Sequence, residues 1–247
     1  MRSITDAVKH IVIINVLFFI ATSLYGDMLY QWFALWFPQN QHFGLWQIVT
    51  HMFMHGGFMH ILFNMYALWA FGGPLEQMWG KNKFFFFYFS AGLGAALIHT
   101  GVNYFYVQQG IDALVGSGIS ESEITALMVE GKYSPAWYGI AGEGTINNML
   151  SAFTTPAVGA SGAIYGVLVA FGMSFPNSEL FLMFVPVPIK AKYFIPVLIG
   201  IDLFSGVTGV SIFGDGIAHF AHVGGALFGF LMMWYWKRNQ FNGNRWN

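Results

Sequence analysis

The residues best suited to chemistry lie in the octapeptide 159–166, where Ser161 stands among small residues. An apolar run from Ala163 to Met173 follows, which places the serine in or beside the first turn of a predicted helix. Backbone N–H groups are unpaired there and the helix dipole is positive, so an attacking hydroxyl would develop its oxyanion beside ready donors. The alternative is that Gly159 and Gly162 merely let two membrane helices pack closely.

A histidine and two glycines share one face of the last apolar segment. His222, Gly225 and Gly229 are spaced i, i+3 and i+7, and two glycines beneath a histidine form a groove that admits another helix. The segment that begins at Ser161 offers a matching stripe of small residues that includes Gly162. If the two stripes pack together, His222 meets Ser161 near the outer ends of both helices. A serine within hydrogen-bond reach of an imidazole is the minimal activated hydroxyl nucleophile.

The sequence does not settle whether a carboxylate joins this pair. Asp202 is the only carboxylate well inside an apolar segment, and it could orient His222, pair with a lysine or cap a helix. A Ser161–His222 dyad needs no carboxylate if Tyr165, one turn below the serine, packs against the imidazole. We predict the dyad.

Four polar residues cluster before and within the second apolar segment: His51, His55, His60 and Asn64. On one continuous helix the first two would face nearly opposite to the last two, so we predict that the helix restarts at Gly56–Gly57. His60 and Asn64 then lie in the first turns of a membrane span, where polar side chains are costly and face a cavity or a partner. They are candidate donors to an oxyanion; the alternative for either alone is a hydrogen bond between helices.

The spacing of His51 and His55 is also that of a zinc-binding helix. That motif requires a glutamate immediately after the first histidine as general base, and Met52 occupies the position. We therefore predict neither a metal site nor a cofactor.

The composition is that of a membrane protein. Of 247 residues, 56% are hydrophobic and only 9% are charged, whereas soluble domains carry about a quarter charged residues. The net charge of −1 gives no sign of a nucleic-acid partner, and the lack of cysteine excludes thiol nucleophiles, thiolate metal sites and disulfides. We predict a polytopic protein in contact with membrane lipids.

Six apolar segments approach the length of about 20 residues that spans a bilayer, in a single domain over residues 1–247: 9–26, 57–74, 84–107, 161–177, 193–210 and 217–236. With six spans, nine of the ten lysines and arginines fall on one side, and Lys132 alone falls on the other. The positive-inside rule then predicts cytoplasmic termini and an active site that opens to the outer side of the cell (inner or plasma) membrane. The first apolar run lacks a small-residue cleavage site and is predicted to be a retained helix.

Two outer segments separate these spans. Residues 27–50 hold six Trp and Phe residues and no Lys or Arg, which suits a loop in the headgroup zone. Residues 108–157 are too polar to span and form an outer insertion. Within it we predict a short helix over Glu121–Glu130, and loop at Pro135 and Gly139–Gly144.

Together these motifs resemble those of rhomboid intramembrane serine proteases, in the family's order and over almost the whole chain. The matching residues are His51, His55, His60 to Asn64, Glu76 with Gly80, Gly159 to Gly162 with Tyr165, and Ala221-His222 with Gly225 and Gly229. The resemblance implies an all-α six-helix fold that cleaves single-pass membrane proteins within or next to their transmembrane segment.

The resemblance also implies a role for each residue. Ser161 would be the nucleophile and His222 the general base, then acid. His60, Asn64 and the Ser161 N–H would form the oxyanion hole, and Tyr165 would stack on His222. Substrate would enter laterally, past the fifth helix and the loop after it, with a small residue before the cut, and no cofactor is implied.

The chain departs from the family pattern in two places. Gln47 follows Trp46 where the family often has an arginine that supports the outer loop, so the rigidity of this loop is in question. The segment 108–157 is longer than the usual connection, and it could be a lid, a substrate-gripping surface or a partner site.

Two other functions compete: a non-proteolytic relative that binds or escorts membrane proteins, and a transporter that uses the histidines as a proton relay. The first typically lacks the serine or the histidine, and the second has no inverted-repeat signal here.

Overall fold

A computed structural model describes residues 4–182, 185–210, 212 and 216–243. The chain is helical almost throughout, and its α-helices in order are α1 (Asp6–Tyr25), α2 (Asp27–Phe33), α3 (Gln47–Thr50), α4 (Phe58–Ala67), α5 (Gly73–Trp79), α6 (Lys81–Val115), α7 (Glu121–Val129), α8 (Ala136–Ala141), α9 (Glu143–Thr154), α10 (Ser161–Ser174), α11 (Ala191–Thr208) and α12 (His219–Gly243). A 3₁₀ turn covers His51–Phe53, and a π-helical turn, Leu68–Gly72, joins α4 to α5.

Each predicted span coincides with a helical segment. Within the described ranges, three helices are long and apolar enough to cross a membrane: α1, α6 and α11. Large apolar side chains on outward faces are exposed, as expected of surfaces that contact lipid, among them Leu17, Leu24, Phe86, Leu97, Val197 and Val207. The count of six spans and the single-domain boundary stay predictions. Arg2 and Arg245 of the charge argument, and part of the loop after the fifth predicted span, lie outside the described residues.

Helix α10 is the centre of the molecule. Every residue from Gly162 to Phe171 is buried, as expected of a helix that is apolar on all sides. It packs mainly against α6 and α12, and also against α11 and the π-helical turn. The helix begins at Ser161, as predicted, so the serine lies at the end of the most enclosed element of the fold.

The second predicted span is one helical rod with a widened turn. Gly57 is the N-cap of α4, which confirms that the helix restarts after Gly56. Pro74 lies in the first turn of α5, directly after the π-helical turn. Because proline lacks an N–H and its ring clashes with the carbonyl four residues earlier, the widened turn lets the rod continue.

Glu76 joins this rod to the first helix. Its two carboxylate oxygens accept hydrogen bonds from the backbone N–H groups of Ala7 and Val8, at 2.7 Å and 3.0 Å. Those N–H groups lie in the first turn of α1, where the helix dipole favours a negative charge. Glu76 therefore caps α1 and holds it against α5.

The outer segment is more ordered than predicted. The helix over 121–130 is confirmed, as α7, and Ser120 caps it by accepting from the N–H of Glu123 at 3.2 Å. The predicted turn at Pro135 is confirmed, since Pro135 precedes α8 as its N-cap. The predicted loop over Gly139–Gly144 is wrong, because α8 and α9 occupy it and only Gly142 breaks them.

Tertiary packing overrode glycine propensity in this segment. Apolar residues of the outer helices bury themselves with the far end of α6 in a second core, which comprises Phe37, Val107, Ile111, Leu114, Ile124, Met128, Trp137, Ile146, Met149, Ala152 and Phe153. Helix α6 continues twenty residues past Ala95, its contact with Gly162, to Val115. At 1.5 Å per residue it rises about 30 Å beyond the level of the serine.

A hairpin between the fourth and fifth predicted spans was not predicted. Strands β1 (Glu179–Leu182) and β2 (Val185–Lys190) pair antiparallel, with Glu179 opposite Lys190. Pro186 and Pro188 argue against a strand in the sequence, because proline lacks the N–H that donates to a strand ladder. A two-stranded ribbon tolerates them because both strands have a free edge. The all-α prediction thus holds apart from one ribbon.

Candidate active site

The structure brings Ser161 and His222 together. Nε2 of His222 lies 2.8 Å from Oγ of Ser161, a hydrogen-bond distance between side chains 61 positions apart in the chain. The serine begins α10 and the histidine lies in the first turn of α12. The predicted meeting of the two stripes near the ends of both helices is therefore observed.

The glycine stripes bring these helices to near-contact of their backbones. A Cβ built on Gly225 would overlap the carbonyl oxygen of Gly162 and lie 2.7 Å from its carbonyl carbon. A Cβ on Gly229 would lie 2.6 Å from Cα of Gly166. Any larger residue at these positions would push α12 away from α10, and His222 with it.

Tyr165 packs against the imidazole in the predicted way. Its ring is stacked on that of His222, with centroids 4.2 Å apart and planes inclined by 12°. The phenol lies one turn below Ser161 on α10, so the helix period itself puts the ring beneath the histidine.

A carboxylate that the dyad prediction omitted completes the arrangement. Oδ1 of Asp202 lies 3.0 Å from Nδ1 of His222 and 2.7 Å from Nδ1 of His219, and the Tyr165 hydroxyl donates to Oδ2. The sequence left three roles open for Asp202, and the structure shows the first of them, a contact with His222. Its signals were a lone carboxylate in an apolar segment and a second histidine one turn before His222.

His60 presents its other ring nitrogen to the turn that precedes Ser161. The N–H of Gly56 donates to Nδ1 of His60 at 3.3 Å, so the proton of the neutral ring is on Nε2. Gly159 has φ 125°, and a Cβ built there would lie 2.9 Å from this Nε2 and 3.4 Å from Oγ of Ser161. The N–H of His60 is thus directed at the turn before the serine, and only glycine fits between them.

Asn64 lies one turn below His60, buried on the same helix face. Its side-chain amide donates to the backbone carbonyl of His60 at 2.8 Å. An amide nitrogen carries two hydrogens, so one is left for a ligand.

These contacts leave one N–H on each of the two candidate oxyanion donors. We expect His60→Ala to lower kcat about a hundredfold with little change in KM, since one donor that strengthens in the transition state contributes about 10²–10³. Asn64→Ala should lower kcat to a similar extent, because the second amide hydrogen of Asn64 is left for the oxyanion. Steady-state kinetics on a membrane-embedded substrate would measure both, with the exposed His10→Ala as control. A large rise in KM with unchanged kcat would make His60 a substrate-binding residue instead.

His51 and His55 do not form a zinc-type pair on one helix. The 3₁₀ turn that contains His51 ends at Phe53, and the backbone of Met54 is extended. The His51 ring contacts the carbonyl oxygen of Gln47 at 2.7 Å, whereas His55 packs edge-on against His60 with ring centroids 5.0 Å apart. Burial lowers the pKa of His51 to about 4, so its ring is neutral at physiological pH.

The backbone of His51 holds the turn before Ser161. Its carbonyl oxygen accepts from the N–H of Gly159 at 3.0 Å. One residue pair nearby, Leu35 and Ala157, forms an antiparallel bridge between the first outer loop and the end of the outer segment. The two outer segments thus fix the approach to Ser161.

Gln47 supports the outer loop, contrary to the doubt that its departure from the family pattern raised. It is fully buried, and its amide nitrogen lies 2.7 Å from the carbonyl oxygen of His42, 3.1 Å from that of Gln31 and 3.2 Å from that of Trp32. Its side-chain oxygen accepts from the N–H of Trp36 at 3.3 Å. A neutral amide therefore braces this loop from the inside.

This chain is similar in sequence to proteins of one known family. A family model described as "Rhomboid domain" matches residues 42–239. Rhomboid protein 1, mitochondrial, of Saccharomyces cerevisiae is 27% identical over 188 residues, which cover 76% of this chain and 41% of that protein. Rhomboid protease GlpG of Salmonella choleraesuis is 42% identical over 74 residues, 30% of this chain and 27% of that protein.

Each of these alignments spans less than half of the curated relative. The matched domain, in contrast, covers most of the present sequence and includes all the site residues described above. Together with the apolar helices, it identifies a multi-pass membrane protein, and the chain belongs to the rhomboid family.

Proposed function

We propose that this chain is an intramembrane serine endopeptidase that cleaves single-pass membrane proteins within or next to their transmembrane segment. The observation that carries the proposal is the 2.8 Å contact between Ser161 Oγ and His222 Nε2 at the end of a buried helix. A hydroxyl becomes a useful nucleophile only when a base can take its proton, and the imidazole is placed to do so.

The reaction would follow the two steps of acyl transfer. In the first, Ser161 Oγ bonds to the scissile carbonyl carbon, its proton passes to His222 Nε2, and the carbonyl oxygen becomes an oxyanion. His60, Asn64 and the Ser161 N–H would stabilise that charge. The imidazolium then protonates the leaving amine as the C–N bond breaks, and water releases the acyl group by the same route in reverse.

The position of the site suits a substrate that lies in the bilayer. Ser161 lies in the first turn of the central helix α10, and the second core around the far end of α6 lies beyond that turn. In the proposed orientation this is the outer end of α10. Substrate would approach laterally, past α11 and the loop after it, with a small residue before the cut.

The direct test is cleavage of a generic transmembrane reporter by the purified protein and by Ser161→Ala. Cleavage by the first and none by the second supports the proposal. A wild-type protein that binds the reporter but never cuts it would favour the escort function, and cleavage that survives Ser161→Ala would exclude serine chemistry.

The proposed orientation puts both termini in the cytoplasm and the active site towards the outer side. Reporter fusions at residues 81–83, at 190–192 and at the C-terminus should therefore read cytoplasmic, and one near Glu123 should read external, because nine of ten basic residues fall on one side of a six-span chain. A cytoplasmic signal at Glu123 would exclude this topology.

A further inference from the structure

The carboxylate of Asp202 is buried and has three side-chain hydrogen-bond partners in the site. Its side chain is 1% exposed, although it lies in the middle of an apolar helix. Two helices supply its partners: Tyr165 from α10, and His219 and His222 from α12. A buried carboxylate is stable only when its oxygens are satisfied in this way.

These contacts select one tautomer of His222. An ionised carboxylate can only accept hydrogen bonds, so Nδ1 of His222, 3.0 Å from Oδ1, must carry the ring proton. In the neutral ring, Nε2 then has a free lone pair, and this is the atom that faces Ser161 Oγ at 2.8 Å. The opposite tautomer would place a proton between Nε2 and the serine, and the ring could not act as its base.

Asp202 also fixes the ring in space. Tyr165 stacks on one face of the imidazole, and the hydroxyl of the same tyrosine donates to Oδ2 of Asp202. The carboxylate thus contacts the edge of the His222 ring. It also holds the Tyr165 ring, which covers one face of that imidazole.

We infer that Asp202 is a positioning residue that extends the Ser161–His222 pair to a triad, with His219 as a second donor to the same carboxylate oxygen. The inference rests on the proposed function and goes beyond its two-residue mechanism. When Ser161 Oγ bonds to the substrate carbonyl carbon, the serine proton moves to Nε2 and the Nδ1 proton stays on the ring. Asp202 stays ionised and stabilises the imidazolium, which returns the Nε2 proton to the leaving amine.

Other titratable groups also face His222. His60 on α4 and His99 on α6 are close enough for their charges to act on it, and Tyr165 and His219 contact the same carboxylate. Three of these are histidines, which become cations in acid and oppose the charge that forms on His222. Asp202 is the counter-charge in contact with the ring, so its removal should shift the pH dependence in a defined direction.

The test is Asp202→Asn, which keeps the shape and removes the charge. Fluorophosphonate labelling of Ser161 and cleavage of a reporter would both be measured from pH 5 to pH 9. We expect the rate at pH 7 to fall about a hundredfold or more, in kcat and not in KM, since loss of the orienting carboxylate in a serine triad costs up to about 10⁴. The pH of half-maximal activity should also move to lower values, because the imidazolium loses its counter-charge.

Ser205→Ala is the matched control. Ser205 is buried like Asp202, lies one turn further along α11, and has no contact with Ser161 or His222 among the described hydrogen bonds. It should keep the wild-type rate and pH profile. Wild-type rate and midpoint in Asp202→Asn would overturn the inference.

A second measurement needs no Asp202 variant and stands even if Asp202→Asn does not fold. In protein labelled with ¹⁵N-histidine, the resonances lost in His222→Ala identify this ring, and their shifts report its tautomer. We expect the Nδ1–H form above the pH at which the ring titrates; an Nε2–H form would overturn the inference. Loss of labelling in Ser161→Ala and His222→Ala, with no effect of Asp202→Asn, would leave the proposed function standing and remove only the triad.

Discussion

A fluorophosphonate probe should label the folded protein at Ser161, and His222→Ala should abolish this labelling although the serine is still present. The reason is the 2.8 Å contact between the two side chains, through which the imidazole takes the hydroxyl proton. In a soluble serine protease, removing either member of such a pair costs about 10⁶ in kcat. We expect a loss of at least about 10⁴ here, for labelling and for proteolysis alike.

Mass spectrometry would identify the labelled residue, and addition of chelators would test for metal dependence. Ser174→Ala, at the other end of α10, is the matched control and should label like the wild type. Activity should fall in acid, because a protonated imidazole cannot act as a base. Labelling that survives His222→Ala, or proteolysis that stops with EDTA and returns with zinc, would contradict the serine mechanism.

Most of the contacts that could be predicted follow from the spacing of residues along a single helix. The i, i+3, i+7 spacing of His222, Gly225 and Gly229 defines one face of α12 wherever that helix lies. In the same way, the spacing of Ser161 and Tyr165 puts them on one face of α10. Once the glycine faces of α10 and α12 meet, Tyr165 stacks on His222. Every α-helix has 3.6 residues per turn, so residues that share a helix face can be identified from the sequence alone.

Contacts that depend on a third helix were not accessible in this way. Asp202 meets His222 and Tyr165 only because α11 crosses both of their helices at one level, and nothing in the spacing along α11 fixes that level. Gln47 is a similar case. Its amide reaches carbonyl oxygens up to 16 positions away, and their arrangement is set by the fold of the whole loop.

The prediction for the outer segment 108–157 was partly wrong for a different reason. The glycines of Gly139–Gly144 were interpreted as loop residues, yet the apolar spacing of Trp137, Ile146 and Met149 buries one face of α8 and α9 against the far end of α6. A Gly in a helix costs about 1 kcal/mol relative to Ala, whereas burying one large apolar side chain gains about 1.5–3 kcal/mol. Burial outweighs propensity once a partner surface exists, and that surface was hidden because α6 was predicted to end at residue 107 instead of Val115.

The glycine face of α12 gives the second large expected effect. Gly225→Val should reduce proteolysis more than a hundredfold although it touches no group that takes part in the reaction. The first side-chain carbon alone would overlap the carbonyl oxygen of Gly162, so the helices must separate by about 1 Å or more. A displacement of that size can cost about a hundredfold when two groups must stay in hydrogen-bond contact.

The loss should come from geometry and not from unfolding. Overpacking a core typically costs about 1–3 kcal/mol, which a bundle of this size can absorb, so thermal stability in detergent should fall modestly while labelling of Ser161 falls with proteolysis. Gly200→Val is the matched control: it makes the same change in α11, where a Cβ has no neighbour within 4 Å, and should keep the wild-type rate. If Gly225→Val turned over substrate at the wild-type rate in both detergent and lipid, the close approach of α10 and α12 would not be what sets the distance from Ser161 to His222.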